Sequence, residues 1–114
     1  MKFVSIFKLD RAQMSDCGPS PEDMAAMGAL IGEMRAAGVL VDTGGVMPTS
    51  VSMRVRREGA QVSVTDGPFT ESKEVVGGFA VLDVGSKEEA LTWTRRFLDL
   101  SGDGVTELFE VTSA

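Results

Sequence analysis

The run Gly77-Gly78-Phe79-Ala80-Val81-Leu82-Asp83-Val84, continued by Gly85-Ser86-Lys87-Glu88-Glu89-Ala90-Leu91, decides how this chain folds. Its first part reads as a strand, nearly apolar throughout its second half. Ser86-Lys87-Glu88-Glu89 is a capping box: the Ser86 hydroxyl closes the start of a helix and Glu89 reaches back to it. Ala90, Leu91, Trp93, Thr94, Phe97 and Leu98 form the buried arc of that helix. Gly102 and Gly104 punctuate its end, and Val105 to Thr112 closes the chain as a last strand.

Outward from this unit, Phe3 to Leu9 sets Phe3 and Phe7 against Val4 and Ile6, apolar on both faces, as a central strand does. The polar stretch from Asp10 to Ser20 is broken by Gly18-Pro19. Ser20 is an N-cap with Pro21 at the first helical position. Met24, Met27, Leu30, Ile31, Met34 and Ala37 share one helical face, and Gly38 ends the helix. Val39 to Met47 reads as a strand interrupted by Gly44-Gly45. Val51, Met53 and Val55 alternate with Ser52, Arg54 and Arg56, the half-buried strand pattern. After a turn at Glu58-Gly59-Ala60, Gln61 to Thr65 returns with Val62 and Val64 on one face.

The order β-α-β-β-(β)-β-α-β within 114 residues predicts a single domain, residues 1–114, of the α+β class. A ferredoxin-like split βαβ arrangement fits best: a mostly antiparallel sheet with two helices on one face. The other face then needs a cover. A homodimer with facing sheets and an enclosed cavity, a dimeric α/β barrel, supplies it.

Composition narrows the function. The net charge of −6 argues against nucleic acid, whose phosphates require a basic footprint, and against anionic membrane surfaces. The first apolar run is too short for a signal peptide, and no stretch is long enough to span a bilayer. With one cysteine there is no internal disulfide, so the expected location is cytoplasmic. Histidine and tyrosine are absent, which removes Ser-His-Asp, Cys-His and histidine-metal chemistry from one chain. No cofactor or metal site is expected.

Polar functionality concentrates in Thr65-Asp66-Gly67-Pro68-Phe69-Thr70-Glu71-Ser72-Lys73-Glu74. Asp66-Gly67-Pro68 is a turn in which Asp bonds nearby amides and Pro fixes its own φ. It either merely ties the chain or presents Asp66 and Phe69 to a cavity. Glu71 or Asp66 offers a carboxylate base, and Lys73 a cation for an acidic ligand. Gly77-Gly78 marks close approach of backbone or ligand. Arg54 and Arg56 share one side of their strand and suit a carboxylate or phosphate if that side lines a cavity. Cys17, in a polar loop without histidine, reads as an incidental thiol.

These residues resemble a family. Val64-Thr65-Asp66-Gly67-Pro68-Phe69 with Glu71, Lys73-Glu74 and Gly77-Gly78 is similar to the signature of the YCII-related proteins of the DGPF type. The likeness extends to Arg35-Ala36-Ala37-Gly38-Val39-Leu40, to Arg54-Val55-Arg56 and to Glu88-Glu89-Ala90-Leu91. The resemblance implies the ferredoxin-like dimeric barrel, and a broader group that has a proposed His-Asp catalytic pair and includes a dehydrochlorinase acting on a chlorinated hydroxyquinol. Here only Asp66 matches that pair. It also implies an association with extracytoplasmic-function sigma factors.

The leading expectation is a small homodimer that binds an acidic or phenolic molecule. Asp66 and Glu71 are the candidate catalytic residues of a cofactor-independent lyase or isomerase. Arg54, Phe69, Lys73, Gly77 and Gly78 are the candidate ligand contacts. The competing expectation is a non-enzymatic accessory or sensing module that partners a sigma factor.

Overall fold

A computed structural model of the protein describes residues 1–10, 20–68 and 74–112. In chain order it contains β1 (Lys2–Asp10), α1 (Pro21–Ala36), β2 (Leu40–Gly45), a 3-10 turn (Thr49–Val51), β3 (Met53–Glu58), β4 (Gln61–Asp66), β5 (Glu74–Asp83), α2 (Lys87–Ser101) and β6 (Val105–Glu110). Four strands form an antiparallel sheet in the order β2-β5-β1-β6, and β3 and β4 form a separate two-stranded hairpin. With the hairpin set aside, the chain is β-α-β-β-α-β and the last core strand lies beside the first. This is the ferredoxin-like α+β arrangement.

Local chemistry accounts for the elements. The Asp23 amide donates to Ser20 Oγ at 3.1 Å, and Pro21 opens α1 as anticipated. In α2 the Glu89 amide donates to Ser86 Oγ at 3.1 Å. The reciprocal arm differs from the expected box: Glu89 Oε2 accepts from the Gly85 amide at 2.9 Å, one residue before the cap. The carboxylate still satisfies a free donor beside the helix start.

Phe3, Ser5 and Phe7 of β1 lie opposite Leu82, Ala80 and Gly78 of β5, and Leu108 and Thr106 of β6 flank Ser5 and Phe7. This set faces the helices. Phe3, Leu82 and Val84 meet Leu30 and Met34 of α1 and Ala90 of α2 in the buried core, joined by Val39. The opposite set, Val4, Ile6, Phe79, Val81 and Phe109, lies on the face without helices. Phe109 there is 52% exposed. Leu91, expected in the buried arc of α2, is instead 45% exposed, because the sheet reaches only the Ala90–Trp93–Phe97 side of the helix. No helix among the described residues is long and apolar enough to cross a membrane.

Candidate functional site

The helices do not close completely on the sheet. Between them lies a cavity of about 820 Å³. Its floor includes Ser5 and Phe7 of β1 with Ala80 and Gly78 of β5. Met27 and Ile31 of α1 and Trp93 and Phe97 of α2 form its walls. Phe7 and Phe97 meet edge to face, centroids 5.1 Å apart at 83°, and fix one end.

The helix spacing that sets this space is held from outside. Arg96 of α2 grips Glu33 of α1 in a bidentate pair, Nη1–Oε1 2.7 Å and Nη2–Oε2 2.6 Å. The same guanidinium lies 5.1 Å from the Trp93 ring centroid, so the ion pair also steadies a wall residue. The bonded guanidinium holds the Glu33 carboxyl below the ordinary glutamate value, more than its desolvation opposes.

Polar groups in the cavity are few. Thr43 Oγ1 donates to the Phe79 carbonyl at 2.9 Å, and Thr94 Oγ1 to the Ala90 carbonyl at 2.8 Å. Both hydroxyl protons are thereby committed to backbone. Ser5 is different: it lies half-buried on the floor and its hydroxyl makes no hydrogen bond among the described residues. Asp23 is the one titratable side chain among the described lining residues, and no lysine or arginine is among them.

The cavity lip runs from Val46 to Pro48. The Val46 amide bonds to the Gly77 carbonyl at 3.1 Å. Beyond Pro48 the chain makes the 3-10 turn, in which Ser52 Oγ donates to the Pro48 carbonyl at 3.1 Å. The Asp66-Gly67-Pro68 turn is anchored here: the Gly67 amide donates to the Ser52 carbonyl at 2.8 Å. The Gly67–Pro68 peptide is cis. The turn is therefore tied through the Gly67 backbone, while the Asp66 side chain is exposed and makes no hydrogen bond among the described residues.

The expected site residues separate into groups. Gly77 and Gly78 line the cavity. Close backbone and side-chain packing explains them: a Cβ at Gly78 would lie 3.0 Å from the Gly44 carbonyl oxygen, and one at Gly77 2.7 Å from Leu9 Cδ2. Arg54 and Asp66 are on the hairpin, where Arg54 pairs with Thr65 and Asp66 with Met53. Successive pairs face opposite ways, so these two side chains do not converge within one protomer. Phe69, Glu71, Lys73 and Cys17 lie outside the described residues. Trp93 and Phe97 are lining residues that sequence reading placed in the buried arc of a helix, and Ser5 is a lining residue that it did not single out. The signal that could have found the site was Ser5 itself, a lone hydroxyl between Phe3 and Phe7 on one strand face.

The YCII-related domain model matches residues 1–112, and the chain belongs to the YCII-related family. Over 59 residues, 52% of this chain, it is 37% identical to an uncharacterised protein, R00369, of Rhizobium meliloti (strain 1021). That match takes in 48% of the relative, so the chain spans about half the length of the curated relative it matches. Among solved structures it is similar to the 5-chloro-2-hydroxyhydroquinone dehydrochlorinase TftG of Burkholderia phenoliruptrix AC1100, in complex with 2,5-dihydroxybenzoquinone. The TM-score is 0.52, over 96% of this chain and 94% of that one, at 17% identity, which shows a shared fold.

Proposed function

We propose that this YCII-family chain is a small cytoplasmic homodimer that binds a small phenolic molecule in the cavity between its helices and sheet. The observation that carries this reading is the Ser5 hydroxyl, unspent on the floor of a largely apolar cavity lined by Phe7, Phe97, Trp93 and methionines. A planar ring gains contact with the aromatic and thioether groups, and its hydroxyl pairs with Ser5. Of the acidic and phenolic ligands anticipated, the described lining favours the phenolic one. A carboxylate there would lack a cation and lose its hydration without compensation. The molecule bound in the TftG complex, 2,5-dihydroxybenzoquinone, is likewise a small planar ring that carries hydroxyl groups.

A catalytic form of this reading is a cofactor-independent lyase or isomerase. Asp66 or Glu71 would take the proton, and Arg54 or Lys73 would face the developing anion. It requires those side chains to reach the lip beside which the Gly67 turn is anchored.

Trp93 is the only tryptophan and lines the cavity, so binding is read directly from its fluorescence. Hydroquinone and catechol should give saturable changes that are lost in Gly28→Phe, which fills the cavity from α1; benzoate should not bind. Phenol responses that persist in Gly28→Phe would remove the ligand from this cavity. Silence with every probe would turn the reading to the accessory module that partners a sigma factor.

A further inference from the structure

The cavity is far larger than a single ring needs. A space of roughly 150 Å³ is enough to hold benzene, whereas about 820 Å³ lies between these helices and the sheet. That volume belongs with the pockets that take drug-sized molecules, roughly 300–1,000 Å³. One hydroxylated ring seated at Ser5 would leave about four-fifths of it unfilled.

The space is closed at one end and open at the other. Leu30 and Met34 of α1 meet Leu82 of β5 and Ala90 of α2 in the buried core, which seals the cavity where α1 ends and α2 begins. The opposite end is lined by Met24 near the start of α1, Leu100 near the end of α2, and Val46 and Met47 of the lip. All four are exposed, Met24 61% and Met47 69%. Single apolar side chains at a surface need no explanation, but four on one rim carry the apolar lining of the cavity out to solvent. Two of them are methionines, whose unbranched thioethers adapt to the shape of an occupant. One helical turn inward from Met24, Gly28 leaves the α1 wall without a side chain, and a Cβ there would meet nothing within 4 Å. The passage from floor to rim is thereby kept open.

Charge excludes one kind of occupant. Asp23 lines the same end, and no lysine or arginine is among the described lining residues. A chain tipped with a carboxylate, as in a fatty acid, would meet an acid there instead of a partner.

We infer that the occupant is a lipophilic phenol: its ring hydroxyl pairs with Ser5, and an uncharged apolar chain on the ring runs past Gly28 to the rim formed by Met24 and Met47. The inference rests on the phenol reading of the proposed function and extends it from a bare ring to a ring with a chain. Each methylene that leaves water for the cavity should tighten binding roughly four-fold.

The test is a set of Trp93 fluorescence titrations with phenol, para-propylphenol, para-hexylphenol and a para-hexylphenol whose chain ends in a carboxylate. They are run on the wild-type chain, on Gly28→Phe and on Met24→Ser/Met47→Ser, with circular dichroism to verify folding. The chain predicts that para-hexylphenol binds at least about tenfold tighter than phenol, with para-propylphenol between them. That advantage should fall by about fivefold in the double rim variant and vanish in Gly28→Phe, and the carboxylate should weaken binding about tenfold. Equal affinities for phenol and para-hexylphenol, or affinity that declines as the chain grows, overturn the chain while leaving the phenol reading standing. A hexyl advantage that survives in Gly28→Phe, or that the rim variant leaves untouched, places the chain on another surface and overturns it too. Equal binding of the carboxylate-tipped phenol overturns the uncharged chain. Silence with every phenol overturns both readings. Should the rim variant lose its fold, the length series with Gly28→Phe decides alone.

Discussion

The Gly67 amide donates to the Ser52 carbonyl at 2.8 Å, and a Cβ on Gly67 would lie only 1.6 Å from the Thr49 carbonyl oxygen. This one close approach joins the Asp66-Gly67-Pro68 turn to the segment that ends in the cavity lip. The motif's glycine acts through backbone geometry, whereas its aspartate faces solvent.

Gly67→Ala should therefore force the turn off the 3-10 segment. We expect a loss of about 1–3 kcal/mol, typical of a substitution with a named steric cause. Asp66→Ala should stay within about 0.5 kcal/mol of wild type, as exposed substitutions do. Calorimetric unfolding of the two variants separates these outcomes. Phenol binding should fall in Gly67→Ala, because the lip shifts with the turn.

Ser5→Ala should weaken binding of a hydroxylated ring and leave one lacking hydroxyls unaffected. Loss of a single neutral hydrogen bond, about 0.5–1.5 kcal/mol, corresponds to roughly a 2- to 12-fold rise in Kd. Trp93 fluorescence titrations with catechol and benzene measure both arms. Equal weakening of the two would assign Ser5 to packing.

Gly32 sits within α1 with open space where a Cβ would be. Gly32→Ala should raise stability by about 0.8–1.0 kcal/mol through helix propensity. For a domain of this size that corresponds to a melting temperature higher by roughly 3–4 °C. A thermal melt that moves downward would show that the position is spatially constrained.

The Glu33–Arg96 pair should stabilise the helix packing at neutral pH and cease to do so in acid. The folded-state pKa of Glu33 is depressed below its ordinary value of 4.5 by the Arg96 hydrogen bonds. Its contribution is thus fully present above that ordinary value and is lost as pH falls through the folded-state one. Glu33→Gln should melt slightly below wild type at pH 7, with the gap closing as the pH drops below 4.5. Both side chains are substantially exposed, so the gap should be small and shrink in salt. A gap that persists unchanged in acid would remove the ion pair as its cause.

Much of the fold was readable because it depends on local chemistry. Ser20 and Ser86 cap the helices by hydroxyl geometry that only neighbouring residues supply. The two-faced apolarity of Phe3 to Leu9 placed β1 inside the sheet, between β5 and β6. The turn at Gly59 joined β3 to β4. The candidate site was less readable. Motif reading grouped Arg54 and Asp66 with Gly77 and Gly78 by closeness in sequence, whereas the register turns Arg54 and Asp66 to opposite hairpin faces and leaves the glycines lining the cavity.

The elements and their order were written in the amino-acid sequence, since each follows from periodicity, capping or turn chemistry within a short window. The resemblance to the family was carried by the Thr65-Asp66-Gly67-Pro68-Phe69 motif. The need for a glycine at Gly67 came from its approach to Thr49 in the folded chain. Folding in three dimensions was needed to leave an apolar space between Met27, Ile31, Trp93 and Phe97 above Ser5. It was also needed to set the hairpin apart with its valines exposed. Cavities and uncovered faces arise from how separate elements fail to close on one another. That depends on distances between residues far apart in the chain, which no local pattern encodes.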